Sequence, residues 1–166
     1  YAGPRRAAAE GAVRVVLFGP RAAEVAARPE VRAALGSGEG RWELIPVASD
    51  QNWGAASTQL VQALFDRHAA AIVALDNASA HLAEQLALKA FVPVVATSDD
   101  RRLTSTNVPW IFRLPAAAAP EEALKVLEAA ARRGGTTAVG LRDALASGGE
   151  LAGVAFEQTG EPRGGN

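Results

Sequence analysis

Ala70-Ala71-Ile72-Val73-Ala74-Leu75 is apolar throughout and runs straight into Asp76-Asn77-Ala78-Ser79. Such a run suits a centre strand covered on both faces, and the polar residues after it suit a loop that leads into a helix. Upstream, Val13-Arg14-Val15-Val16-Leu17-Phe18 is a short β-branched run stopped by Gly19-Pro20, which predicts a buried strand and a turn. Downstream, Phe91-Val92-Pro93-Val94-Val95-Ala96 and Val108-Pro109-Trp110-Ile111-Phe112-Arg113-Leu114 predict two more strands. Trp42-Glu43-Leu44-Ile45-Pro46-Val47 is another, and Pro46, with no N–H to give a ladder, predicts an edge position for it. A last strand is expected at Leu151-Ala152-Gly153-Val154-Ala155-Phe156.

Helical spacing fills the gaps. Residues 21–35 carry Val25, Val31 and Leu35, with an interruption at Pro29. Residues 55–68 place Leu60, Val61, Leu64, Phe65 and His68 at helical intervals, and 79–90 put Leu82, Leu86 and Ala90 on one face. Further helices are expected at 120–133 and 138–146. Regular alternation of strand and helix specifies a three-layer α/β sandwich with a mainly parallel sheet. Ligands of such sheets sit outside the carboxyl ends of the strands, so the loops at 19–20, 49–54, 76–79 and 97–100 are expected to share one rim. The organisation expected is a leader at 1–12, a single α/β lobe over 13–160 and a flexible tail at 161–166.

The chain has 166 residues, enough for one domain with a real core. Hydrophobic residues make up 49% and charged residues 21%, which fits neither a disordered tail nor a membrane protein. The 17 Lys and Arg are balanced by 18 Asp and Glu, so no basic excess exists to neutralise a phosphate backbone, and nucleic acid is not an expected partner. The absence of cysteine excludes disulfides, thiolate catalysis and Cys-ligated zinc. No nucleophile elbow and no phosphate-binding glycine loop is present, because Gly36-x-Gly38-x-Gly40 precedes a strand instead of a helix. His68 and His81 fall on different predicted helices without a supporting Cys or paired carboxylate, so both are expected as surface or helix-face residues and no metal or cofactor is implied.

The ordered set from Trp42 to Leu114 resembles the branched-chain amino-acid-binding family of type I periplasmic solute-binding proteins. The residues that carry it are Ser49-Asp50 after a strand, the helix Ala55 to Phe65, and Ala71-Ile72-Val73-Ala74 before Asp76-Asn77-Ala78-Ser79-Ala80. They continue with Phe91-Val92-Pro93-Val94-Val95-Ala96-Thr97-Ser98 and Val108-Pro109-Trp110-Ile111-Phe112-Arg113. Ala123 to Arg133, Gly134-Gly135-Thr136-Thr137, Leu141 to Leu145 and Gly153-Val154-Ala155-Phe156 with Gly160 resemble the family's closing pattern. Between Leu114 and Pro120, where the family carries most of a second lobe, only Pro115 and four alanines stand.

The resemblance implies a first lobe with strand order 2-1-3-4-5 and non-catalytic solute binding linked to transport. It implies a periplasmic or extracellular setting, a small amino-acid-like solute and the membrane permease of an ABC transporter as partners. Carried over by position, the ligand-binding candidates are Asn77, Ala78 and Ser79 in one loop and Ala96, Thr97 and Ser98 in a second. Trp53, in a rim loop, either lines the cleft or packs as a partly buried structural ring. Ser79 and Ser98 serve equally well as helix N-caps, since a cap and a carboxylate site use the same geometry. Asp50 reads as a partner for a ligand ammonium group or, more commonly for such a residue, as a helix N-cap; Asp99-Asp100-Arg101-Arg102 reads as a solvated charge cluster, and Arg113 as a loop anchor through a carboxylate. Two other classes stand beside this reading. One is an interaction domain that dimerises or docks a protein through an open cleft face. The other is a receiver-like domain, for which Asp76 is rightly placed but Gly19-Pro20 stands where acidic residues belong.

Overall fold

A computed structural model of the chain describes residues 13–34, 42–49, 53–105, 110–135, 137–157 and 160–162. Five strands form the sheet: β1 (Val13–Gly19), β2 (Trp42–Ala48), β3 (Ala71–Ala74), β4 (Val94–Thr97) and β5 (Ile111–Leu114). Their order is β2-β1-β3-β4-β5 and each neighbouring pair is parallel, as the alternating sequence and the family resemblance predict. β2 is an edge strand, the place Pro46 requires. The expected leader at 1–12 lies outside the described residues.

Period-two alternation divides the strand side chains between two cores. Val15, Leu17, Ala71, Val73, Val95, Phe112 and Leu114 turn to one face. There they meet helices α1 (Ala22–Ala27), α2 (Pro29–Ala33), α6 (Pro120–Gly134) and α7 (Ala138–Ala146). Val16, Phe18, Ile45, Val47, Ile72, Ala74, Val94, Ala96 and Ile111 turn to the other. That face is covered by α3 (Trp53–Phe65), α4 (Asn77–Ala90) and the short α5 (Arg102–Ser105). The buried face of α4 is built from Ala80, Ala83 and Ala87, whose small side chains let the helix lie close on the sheet. Each fully buried Leu or Phe adds roughly 1.5–3 kcal/mol of transfer free energy, which the two clusters sum over the whole lobe.

Local chemistry sets the boundaries. Arg28 is extended between α1 and α2, so the Pro29 interruption falls where expected. α3 stops at Phe65, short of the predicted 68, because His68 takes a left-handed conformation with φ 55 that no helix interior accepts. α4 begins at Asn77, two residues before the expected start, because Asp76 is extended and its side chain caps the first turn. Its end at Phe91 is left-handed, φ 56, so β4 begins only at Val94.

The strand expected at 151–156 does not form. Ala152 (φ 51) and Gly153 (φ 87) fold this stretch into a tight turn, with Leu151 bridging back to Val154. Phe156 instead drops its ring against Phe112, centroids 5.4 Å apart. The chain then passes the outer edge of β5, where the Arg113 N–H donates to the Gly160 carbonyl at 2.8 Å. Gly160 has φ 93, and a Cβ there would lie 1.9 Å from the Ile111 carbonyl oxygen, so glycine alone fits this approach.

Candidate functional site

All five strands run the same way, so their carboxyl ends meet along one rim. Backbone bonds join neighbouring exits. Ser49 N–H donates to Gly19 O at 3.2 Å, Leu75 N–H to Phe18 O at 2.9 Å and Ser98 N–H to Leu114 O at 2.9 Å. Gly19 is fixed by crowding, since a Cβ there would lie 2.6 Å from Leu75 Cβ.

Four hydroxyl groups stitch the loops together. The Ser49 and Ser79 hydroxyls are 2.9 Å apart and both residues are buried. Thr97 Oγ1 donates to the carbonyls of Ala74 and Leu75, at 3.3 and 3.2 Å, tying β4 to the end of β3. Ser98 Oγ donates to Asn77 Oδ1 at 2.8 Å and accepts the Asp100 N–H at 3.0 Å. The two predicted ligand loops are therefore joined by one side-chain bond, Ser98 to Asn77.

The predicted residues separate by exposure. Asn77 and Ala78 are exposed in the first turn of α4. Ser79, Ala96, Thr97 and Ser98 are buried, with Ser79 and Ala96 fully so. Ser79 is not the cap of α4; it is the third helical residue, and its N–H donates to Asp76 Oδ1 at 2.9 Å. Trp53 opens helix α3, and its side chain lies outside what the structure describes, as does Asp50.

The loop after β4 is held by charge. Asp100 accepts two bonds from the Arg102 guanidinium and faces His81 Nε2 at 2.8 Å, while His81 Nδ1 lies 3.7 Å from Glu84. The Arg102 guanidinium, with His81 behind it, holds the Asp100 carboxyl far below the usual carboxylate range. The expected solvated cluster is thus a local ion-pair network, and His81 has the carboxylate partners that sequence reading did not find for it. Asp99 Oδ1 accepts the Ala116 N–H at 3.0 Å, which joins this loop to the connector after β5. Arg113 anchors a loop through a carboxylate, as predicted, and the carboxylate is Glu161. The Arg113 guanidinium holds the Glu161 carboxyl below its ordinary range, with burial opposing and the Thr104 hydroxyl adding to the effect. Among the described residues no group of three or more His, Asp or Glu is placed to hold a metal ion.

An open groove of about 540 Å³ lies away from the rim, lined by Lys125, Glu128, Arg132, Glu150 and Leu151. Arg132 there is paired with Glu128 at 2.9 Å.

No protein-family model and no curated protein sequence matches the chain. Solved structures do. The chain is similar to the branched-chain amino acid transporter substrate-binding protein LivJ of Streptococcus pneumoniae, solved with isoleucine, at 16% identity and a TM-score of 0.50. That match covers 61% of this chain and 33% of LivJ, so it spans about a third of LivJ's length. The leucine-binding protein LivK of Thermotoga maritima is similar at 17% identity and a TM-score of 0.48, over 61% of this chain and 32% of LivK. With its five parallel strands in the order β2-β1-β3-β4-β5, the chain has the fold of one partial lobe of a type I periplasmic binding protein.

Proposed function

We propose that the chain is a non-catalytic solute-binding lobe for a small amino-acid-like molecule, of the kind that serves an ABC transporter. One observation carries the reading. In a sheet of this order, the exposed first turn of α4 and the loop after β4 are tied at the rim by the Ser98–Asn77 bond. The first N–H groups of a helix have no intrahelical acceptor and favour an anion. Asp76 takes the N–H of Ser79, which leaves those of Asn77 and Ala78 for a carboxylate. The Asp76 carboxylate gives the same turn a negative charge, which suits a zwitterion better than a plain anion. Ser79, Ala96, Thr97 and Ser98 then serve as the scaffold that holds the turn, and Trp53, the first residue of α3, belongs to the proposed set as a rim residue. A periplasmic or extracellular setting and a membrane permease partner belong to the same proposal.

A thermal-melt screen against free amino acids and small carboxylates tests it. A solute at a hundredfold its Kd adds about 2.7 kcal/mol, which raises Tm by roughly 5–10 °C in a chain of this size. No shift from any member, with silent calorimetry, would refute the reading.

Docking of a protein partner or a second copy is the other reading. Phe91 and Val139 are 61% and 56% exposed, and Phe91, between α4 and β4, lies at the amino ends of the strands, so the surface that favours docking is not the expected cleft face. A sedimentation profile that stays monomeric at every concentration would count against a homodimer.

A further inference from the structure

We infer that Glu161 is a positioning residue for the rim: through Arg113 it fixes the loop of residues 97–100. The functional meaning of this inference rests on the solute-binding reading; its geometry does not.

Arg113 sits on β5 and is 6% exposed. Its Nε donates to Glu161 Oε2 at 2.7 Å and its Nη2 to Glu161 Oε1 at 2.6 Å. The third contact runs the other way, from Nη1 to the Ser98 carbonyl at 2.8 Å. A guanidinium is planar, with its donors in a fixed fork. A carboxylate that takes two of those donors therefore sets the direction of the third. Here that direction is the backbone of the loop after β4. Ser98 passes the constraint on, because its hydroxyl bonds both Asn77 and the Asp100 N–H. Four residues thus link the segment around Gly160 to the first turn of α4: Glu161, Arg113, Ser98 and Asn77.

Glu161 is itself placed. Gly160 seats the preceding peptide on β5 in a conformation closed to other residues. The Thr104 hydroxyl, from α5, bonds Glu161 Oε2. These contacts converge on one carboxylate in a stretch that is neither helix nor strand. A tether for the 160–162 segment alone would not need the third guanidinium donor, which goes to the Ser98 carbonyl in the loop after β4.

Amide hydrogen exchange on the solute-free chain tests the inference directly. Glu161→Gln should speed exchange at Asp100, whose N–H bonds Ser98, and at Ala116, whose N–H bonds Asp99, by about tenfold or more. Core amides such as Ile72 and Val94 should not change. Arg113→Lys keeps the charge but loses the fork and should give the same pattern. Gly160→Ala, which leaves every charge in place, should reproduce it as well. Glu161→Asp should restore part of the protection. Unchanged exchange at Asp100 and Ala116, or a rise spread evenly over core and rim, would overturn the inference. Calorimetry with isoleucine, or with the amino acid that gives the largest melting shift, supplies the second arm. Weaker binding by the Glu161→Gln chain supports positioning, and unchanged affinity despite a loosened loop defeats it. A loosened loop in a chain whose parent binds no solute upholds the tether and sinks the solute-binding reading instead.

Discussion

Phe156→Ala removes a ring that is fully buried although it stands in no helix or strand. The ring meets Phe112 edge to face, at 5.4 Å between centroids and 67° between planes. Phe112 belongs to the sheet, so this contact, with buried Leu151, joins residues 151–157 to the core beneath α6 and α7. Truncating a buried Phe to Ala costs about 3–5 kcal/mol, of which the edge-to-face pair supplies about 0.5–1.5 kcal/mol. The lower end applies, because a segment without a ladder is free to settle into part of the vacated space. A loss of about 3 kcal/mol lowers Tm by roughly 6–12 °C for a chain of this size and leaves a folded protein if the parent stability is typical. Urea unfolding followed by circular dichroism, with the slope held as a check on two-state behaviour, measures it. Phe156→Leu should cost no more than about 1.5 kcal/mol. A double-mutant cycle with Phe112→Leu should return a coupling of about 0.5–1.5 kcal/mol. A loss under about 1 kcal/mol for Phe156→Ala would refute the reasoning, since the segment would then lie outside the cooperative unit.

Ser79→Ala leaves the Ser49 hydroxyl without its partner and should cost about 1–2 kcal/mol, whereas Ser49→Ala with Ser79→Ala together should cost less than the two separate losses added, as read by the same urea curves. Gly19→Ala forces a Cβ against the Leu75 Cβ and should destabilise by about 1–3 kcal/mol in a thermal melt; Leu75→Ala keeps that Cβ, so adding it should not relieve the 2.6 Å contact. The Glu161 carboxyl is held below its ordinary 4.5 in the folded chain, chiefly by Arg113, so the unfolded chain takes up its proton first. Its contribution to stability is therefore full above that ordinary value and fades as pH falls through the depressed one. Chemical unfolding at neutral and at acid pH should show this slope, and Glu161→Gln should flatten it.

What the sequence made legible follows the range of the interaction. Ala71-Ile72-Val73-Ala74 announces a centre strand because burial on both faces leaves no place for a polar residue, and that is a local fact. Pro46 announces an edge for a reason contained in its own ring. Leu151-Ala152-Gly153-Val154 shows the limit, because its residues are those of a strand while Ala152 and Gly153 adopt left-handed φ values that no periodicity reveals. The rim divides in the same manner. The loops were placed together by topology alone, since parallel strands must deliver their exits to one side. The pairing of Ser49 with Ser79 spans 30 residues, and that of Arg113 with Glu161 spans 48, so neither leaves a motif. Of the two carboxylates beside His81, Glu84 stands three residues on along the same helix and is legible from spacing, whereas Asp100 is 19 residues away and comes near only when α4 lies back along the sheet.

The two flanks of the sheet are finished differently. Beside β5 the Gly160 carbonyl already holds the Arg113 N–H, while β2 at the opposite flank meets no further strand among the described residues. Growth of one sheet into the next needs two available flanks per molecule, one to give and one to receive. A unit with a single available flank joins at most one copy of itself, flank to like flank about a twofold axis, and the join then terminates. Seating of the segment around Gly160 thus separates a self-limiting pair from an open-ended fibre.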